Sequence, residues 1–182
     1  VNAPFIYHMK PLDMRGDFLM PLNSLAKEHP DLFNSGIQKY LGREALIKEK
    51  IFPLGCLWND VLHFAPIHPA IIFRTLEQLG ANPKKSILWF KIPIGKIALT
   101  PTVYFESDPS DESGAYYFTE KNYSLFLPDK YKEELAIPNK AIDYYRRQVH
   151  LNKKILLFNG IKHILVKGRV DISDVEIISW GD

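Results

Sequence analysis

The chain has 182 residues, 46% of them hydrophobic and 24% charged, with a net charge of +2. That is the composition of one globular domain with a core of its own, and the small charge argues against an extended nucleic-acid surface while leaving room for a local basic groove. A lone cysteine, Cys56, excludes an intrachain disulfide and any CxxC or zinc-finger spacing, no apolar run nears the ~20 residues of a membrane span, and VNAPFIYHMK at the start has no signal-peptide pattern; together these predict a reducing, cytoplasmic setting.

In chain order, FIYHM at 5–9 predicts a first strand, closed by Pro11 and Gly16, and FLMPL at 18–22 a second extended piece. Asn23 and Ser24 are capping residues for a short helix over 25–28. Asp31 caps a helix over 32–41, whose Leu32, Phe33, Ile37, Tyr40 and Leu41 share one face. After Gly42 a charged helix continues over 43–50. Pro53 and Gly55 then lead into CLWNDVLHFAPIHP at 56–69, and Pro69 and Gly80 bound an amphipathic helix.

From Ser86 the period changes. ILWFKIP at 87–93 is apolar on both faces and predicts a central strand. TVYFE at 102–106 is a strand, SDPSDESG at 107–114 a mobile acidic loop, and YYFT at 116–119 another strand. Helices follow over 128–135 and 138–150, the second with Ile142, Tyr145 and Val149 inward. ILLF at 155–158 and IKHILV at 161–166 flank Asn159-Gly160, the strongest signal for a two-residue hairpin, and extended pieces follow at 170–172 and 175–180. Helices gather in the first half and strands in the second. The fold class is therefore α+β, a single domain over 1–182 with a helical N-terminal half packed on a mostly antiparallel, split sheet.

Residues 56–69 place Trp58, Asn59, Asp60, His63 and His68 among Leu57, Val61, Leu62 and Phe64. Buried polar groups without partners cost about 1–3 kcal/mol each, so this segment needs an internal network or a ligand. Asp60, His63 and His68 are the donor types of a zinc-dependent hydrolase, but their spacing matches no zinc pattern, and hydrogen-bonded core histidines are the plainer reading. Apolar neighbours make Cys56 an inert thiol. No GxSxG, GxxxxGK[ST] or GxGxxG occurs. Arg146-Arg147, Lys153-Lys154 and Lys167 with Arg169 serve solubility or meet a phosphate backbone. His8, at the end of the first strand, either projects toward a cleft or caps the strand.

Three pieces resemble the ADP-ribosyltransferase-like fold, in particular the DarT group of DNA-targeting ADP-ribosyltransferase toxins. Ile6-Tyr7-His8 is similar to that family's first strand, which reads roughly IYHIT. VLHFAPIHPAI at 61–71 is similar to its VPFYFAPRSPML, with Phe64, Ala65, Pro66 and Pro69 matching. ILVKGRVDI at 164–172 is similar to its closing strand, after a helix ending in Arg146-Arg147. The order agrees along most of the chain.

The resemblance implies NAD as the substrate and a nucleic-acid or protein acceptor. His8 would hold the ribose or amide. Tyr7, Trp58, Asn59, His63 and His68 would line the NAD cleft, and Tyr104 or Tyr117 would stack on the nicotinamide. A later Glu would bind the ribose and stabilise the positive charge that develops as nicotinamide leaves, which needs a fixed negative partner. Matching Leu165-Val166 to the family's LV puts His163 or Ile164 at the Glu position, and Ile67 stands where the family has Arg. The catalytic candidates are thus His8, His163 and, as the carboxylate, Glu106 beside the acidic loop, with Glu176 as its substitute. The alternative is an inactive module of the same fold that binds a nucleotide, a nucleic acid or a protein.

Overall fold

A computed structural model describes residues 3–109 and 118–182. The chain enters on strands β1 (Phe5–Met9) and β2 (Phe18–Leu19) and turns through helices α1 (Leu22–Glu28) and α2 (Pro30–Ile37). Short strands β3 (Lys50–Ile51), β4 (Cys56–Leu57) and β5 (Leu62–Phe64) lead to helix α3 (Pro69–Gln78). Strands β6 (Leu88–Pro93), β7 (Thr102–Phe105) and β8 (Tyr123–Leu125), helix α4 (Asn139–His150) and strands β9 (His163–Val166), β10 (Val170–Asp171) and β11 (Glu176–Ser179) complete it. The result is a mixed α+β chain with antiparallel sheets.

Two sheets carry the fold, β1-β6-β11 and β5-β9-β7-β8. They touch where Tyr7 and Ala65 exchange both backbone bonds, at 3.0 and 2.9 Å. β6 is central as its two apolar faces require: Trp89, Phe90 and Ile92 are all buried. Strand pleating then divides the core. Ile6 joins Phe64, Phe90, Ile92 and Ile164 in one cluster, while Tyr7 turns the other way, against Trp89, Trp180, α3 and α4. A third cluster gathers Tyr40, Leu46, Trp58, Phe105 and Leu165.

Several elements differ from the sequence reading. The strand expected at 5–9 and the extended piece at 18–22 form as β1 and β2, but β3, β4 and β5 also lie in the half read as helical, and β1, β2 and β5 pair with β6, β10 and β9. Pro21, not Asn23 or Ser24, precedes α1, and no side chain caps it. α2 ends at Ile37 and tightens into a 3-10 turn over Gln38–Tyr40; the charged stretch is 3-10 over Glu44–Lys48. The helix expected over 128–135 is a single 3-10 turn, Pro128–Lys130. Phe118 and Thr119 are irregular, and residues 110–117 of the expected acidic loop and following strand lie outside the described residues. β8 occupies an edge that the sequence reading left without a strand.

The Asn-Gly hairpin does not form. Asn159-Gly160 is a turn, but residues 155–158 are not a strand, and β9 pairs with β5 and β7. Tyrosines of α4 capture the segment instead: the Tyr144 hydroxyl accepts the Leu156 N–H at 3.1 Å, and the Tyr145 hydroxyl donates to the Leu157 carbonyl. Among the described residues no helix is long and apolar enough to cross a membrane.

Candidate functional site

A hollow of about 920 Å3 opens beside the end of β1, the α1–α2 pair and the 154–160 segment. Its deep side is aromatic and imidazole: Trp58, Asn59, His63, Phe105, Phe118 and His163. Its outer side is cationic, with Lys10, Arg15, Lys39, Arg43, Lys84 and Lys154. Among the described lining residues, Asp13 is the one carboxylate.

The sheet register explains the deep side. Phe105 lies directly opposite His163, and His63 opposite Leu165, so His63 and His163 are diagonal neighbours on one face. Their Nδ1 atoms stand 3.5 Å apart. Each Nε2 meets a backbone carbonyl, His63 that of Trp58 at 3.0 Å and His163 that of Phe158 at 2.9 Å. A carbonyl accepts only, so both Nε2 atoms carry a proton, and in the neutral rings both Nδ1 atoms present lone pairs. Trp58 packs on both rings, with centroids at 4.6 Å and 5.9 Å, and stacks on Phe118.

His8 reaches the same hollow from β1, on the face it shares with Ile6. Its Nδ1 donates to the Met9 carbonyl at 2.7 Å, and its ring meets Phe64 edge to face at 5.4 Å. Burial pushes the imidazoles of His8 and His163 down to about 4. Burial, and then the neighbouring His163, push His63 well below the ordinary histidine value. All three are neutral at pH 7. Asn59 is 2% exposed, and no described protein group accepts from its Nδ2.

The structure thus brings His8, Trp58, Asn59, His63 and His163 together. The other predicted site residues stand apart. Tyr7 faces away and donates to Glu133 Oε2 at 2.7 Å. His68 caps α3, its Nδ1 accepting the Ala70 N–H at 3.2 Å. Tyr104 points to the opposite face of β7 from Phe105, against Phe126 at 4.9 Å and under Lys162. Glu106 pairs with Lys140 at 3.0 Å and Glu176 with Lys91 at 2.7 Å; neither lines the hollow. Tyr117 lies outside the described residues.

Nor does a zinc triad assemble. Asp60 accepts from Asn23 Nδ2 at 2.8 Å and from the Leu57 N–H at 2.7 Å, which ties α1 to the turn at Trp58. Among the described residues no group of three or more His, Cys, Asp or Glu can hold a metal. Burial raises the Cys56 thiol, as its apolar neighbours imply. The sequence reading missed Phe105, Phe118, Lys39 and Arg43. Phe105 had a signal, since alternation along TVYF puts it on the face opposite Tyr104. Lys39 and Arg43 had none beyond charge; both lie over the Tyr40 ring, at 5.2 and 5.5 Å.

Compared with protein-family models, with curated proteins and with solved structures, the chain gives no match.

Proposed function

We propose that the hollow binds an NAD-type nucleotide, as the resemblance to the ADP-ribosyltransferase-like fold and the DarT group implies, and that the chain holds this ligand without transferring ADP-ribose. The aromatic and imidazole wall suits a flat heterocycle. The cationic outer side suits the pyrophosphate.

One observation carries the reading of binding without transfer. A leaving nicotinamide exposes a positive centre that needs a fixed negative partner. His163, neutral, stands at the position where the resemblance expects that carboxylate, and Glu106 and Glu176 are paired with lysines away from the hollow.

The test is calorimetric titration with NAD, followed by incubation with labelled NAD, single-stranded DNA and lysate proteins. Saturable binding with no label on any acceptor is expected. Heat-silent titration at millimolar NAD, with no rise in melting temperature, overturns the nucleotide site. Label on an acceptor overturns the inactive reading and restores a transferase.

A further inference from the structure

We infer that His63 and His163 are the protein half of a transition-metal site that takes a borderline ion such as Zn2+ between their two Nδ1 atoms, with oxygen ligands from the hollow filling its other positions. The starting point is an electrostatic conflict. Both Nε2 protons are committed to backbone carbonyls, so two lone pairs face each other across 3.5 Å in a half-buried site. As neutral rings with their Nε2 protons so used, neither satisfies the other. An electrophile between them would relieve the conflict, and the candidates are a proton and a metal ion.

Distance separates the two. A good hydrogen bond to nitrogen spans about 2.9–3.0 Å between heavy atoms, and 3.5 Å is close to the limit at which one exists. Zinc–imidazole bonds run about 2.0–2.1 Å, so an ion bound to both atoms subtends an angle of about 115°, near tetrahedral. The surroundings agree. Histidines that hold a metal characteristically donate their other ring N–H to a carbonyl or carboxylate, which fixes tautomer and ring orientation. Both rings do so here, to the Trp58 and Phe158 carbonyls. Trp58, Phe105 and Phe158 pack around the pair, with Phe105 and Phe158 centroids 5.5 and 5.6 Å from that of His163, so the ion would sit in an apolar shell.

Two neutral nitrogens also define the ion. Magnesium and calcium want oxygen cages, whereas imidazole suits zinc and its neighbours. No third His, Cys, Asp or Glu joins the pair among the described residues, and both rings line the hollow. The site is therefore weaker than a three-ligand centre and is completed by water or by a phosphate oxygen. It does not depend on the nucleotide reading.

The test uses the full chain, freed of metal with a chelator and without nucleotide. Zn2+ is titrated by calorimetry while the imidazole nitrogens are followed by NMR. Expected is one ion per chain, with the Nδ1 signals of His63 and His163 moving and their Nε2 protons retained; Mg2+ does nothing. His63→Ala and His163→Ala each lose about tenfold or more in affinity, since even removing a group that only orients a metal-bound histidine costs ~10–100-fold. The inference fails if both Nδ1 signals stay put through several equivalents of Zn2+, or if binding survives both substitutions. It also fails if the pair shows a shared N–H proton that Zn2+ does not displace. Should a variant not fold, the wild-type NMR titration decides alone. NAD binding without zinc sinks only this inference; zinc binding without NAD sinks only the nucleotide reading.

Discussion

Tyr7 and Glu133 are joined by a 2.7 Å hydrogen bond from the phenol to Oε2, while Oε1 of the same carboxylate accepts the Phe5 N–H at 2.9 Å. One side chain from the loop before α4 thereby fixes both the start of β1 and the buried ring at its centre. Burial, and then Glu133, raise the phenol above its ordinary range, so it remains a donor. Removing the carboxylate strands a buried hydroxyl. Glu133→Ala is expected to cost about 1–3 kcal/mol in urea unfolding, and Tyr7→Phe about 1–2 kcal/mol. NAD affinity should be unchanged in Tyr7→Phe, because the ring lies off the hollow; a loss there would mean that Tyr7 belongs to the site after all.

Stability should fall on the acid side of neutrality. His8 and His163 have an ordinary value of 6.5 and lie near 4 in the folded chain, with His63 also lowered. Between those values the unfolded chain binds more protons than the folded one, so stability is complete above pH 7 and is lost as pH drops from 6.5 toward 4. Each histidine contributes a slope of up to about 1.4 kcal/mol per pH unit there. Urea midpoints at pH 7.5 and pH 5 check this, and a flat profile would contradict the burial of the three rings.

Gly160 is expected to tolerate no side chain. It holds φ at +84°, and a Cβ there would lie 2.9 Å from Pro109 Cγ and 3.2 Å from Ala141 Cα. Gly160→Ala combines left-handed strain with a clash against the backbone of α4, for a loss of about 1–3 kcal/mol. Loss of the Phe158 carbonyl from its place beside His163 should follow, visible as a shift of the His163 Nε2 proton.

If the cationic side binds a pyrophosphate, Lys39→Ala with Arg43→Ala should weaken NAD by roughly tenfold and flatten its salt dependence. Lys39 is exposed and Arg43 half-buried, and neither belongs to a core cluster, so melting temperature should move little. Unchanged affinity with an unchanged salt slope would remove them from the ligand path.

Much of the scaffold was legible in the sequence. β6, α3 and α4 carry long, unbroken periodic signals, and each falls within a residue or two of its expected limits. The failed hairpin shows why local chemistry is not enough: Asn-Gly made its turn, but Tyr144 and Tyr145, distant in sequence, claimed the strand meant to pair across it. At the site the misses are largely matters of parity. Tyr7 and Tyr104 are each one residue from a group that does line the hollow, His8 and Phe105, and the pleat turns neighbours to opposite faces. His163 was named through its alignment position. Its closeness to His63 follows from strand order, which adjacent residues do not encode.

The paired bonds between Tyr7 and Ala65 also set how the hollow can open. His8 belongs to one sheet and His63 to the other, so spreading the two apart would shear that small seam. The spacing of those two imidazoles is thereby tied to a backbone seam rather than to side-chain packing alone.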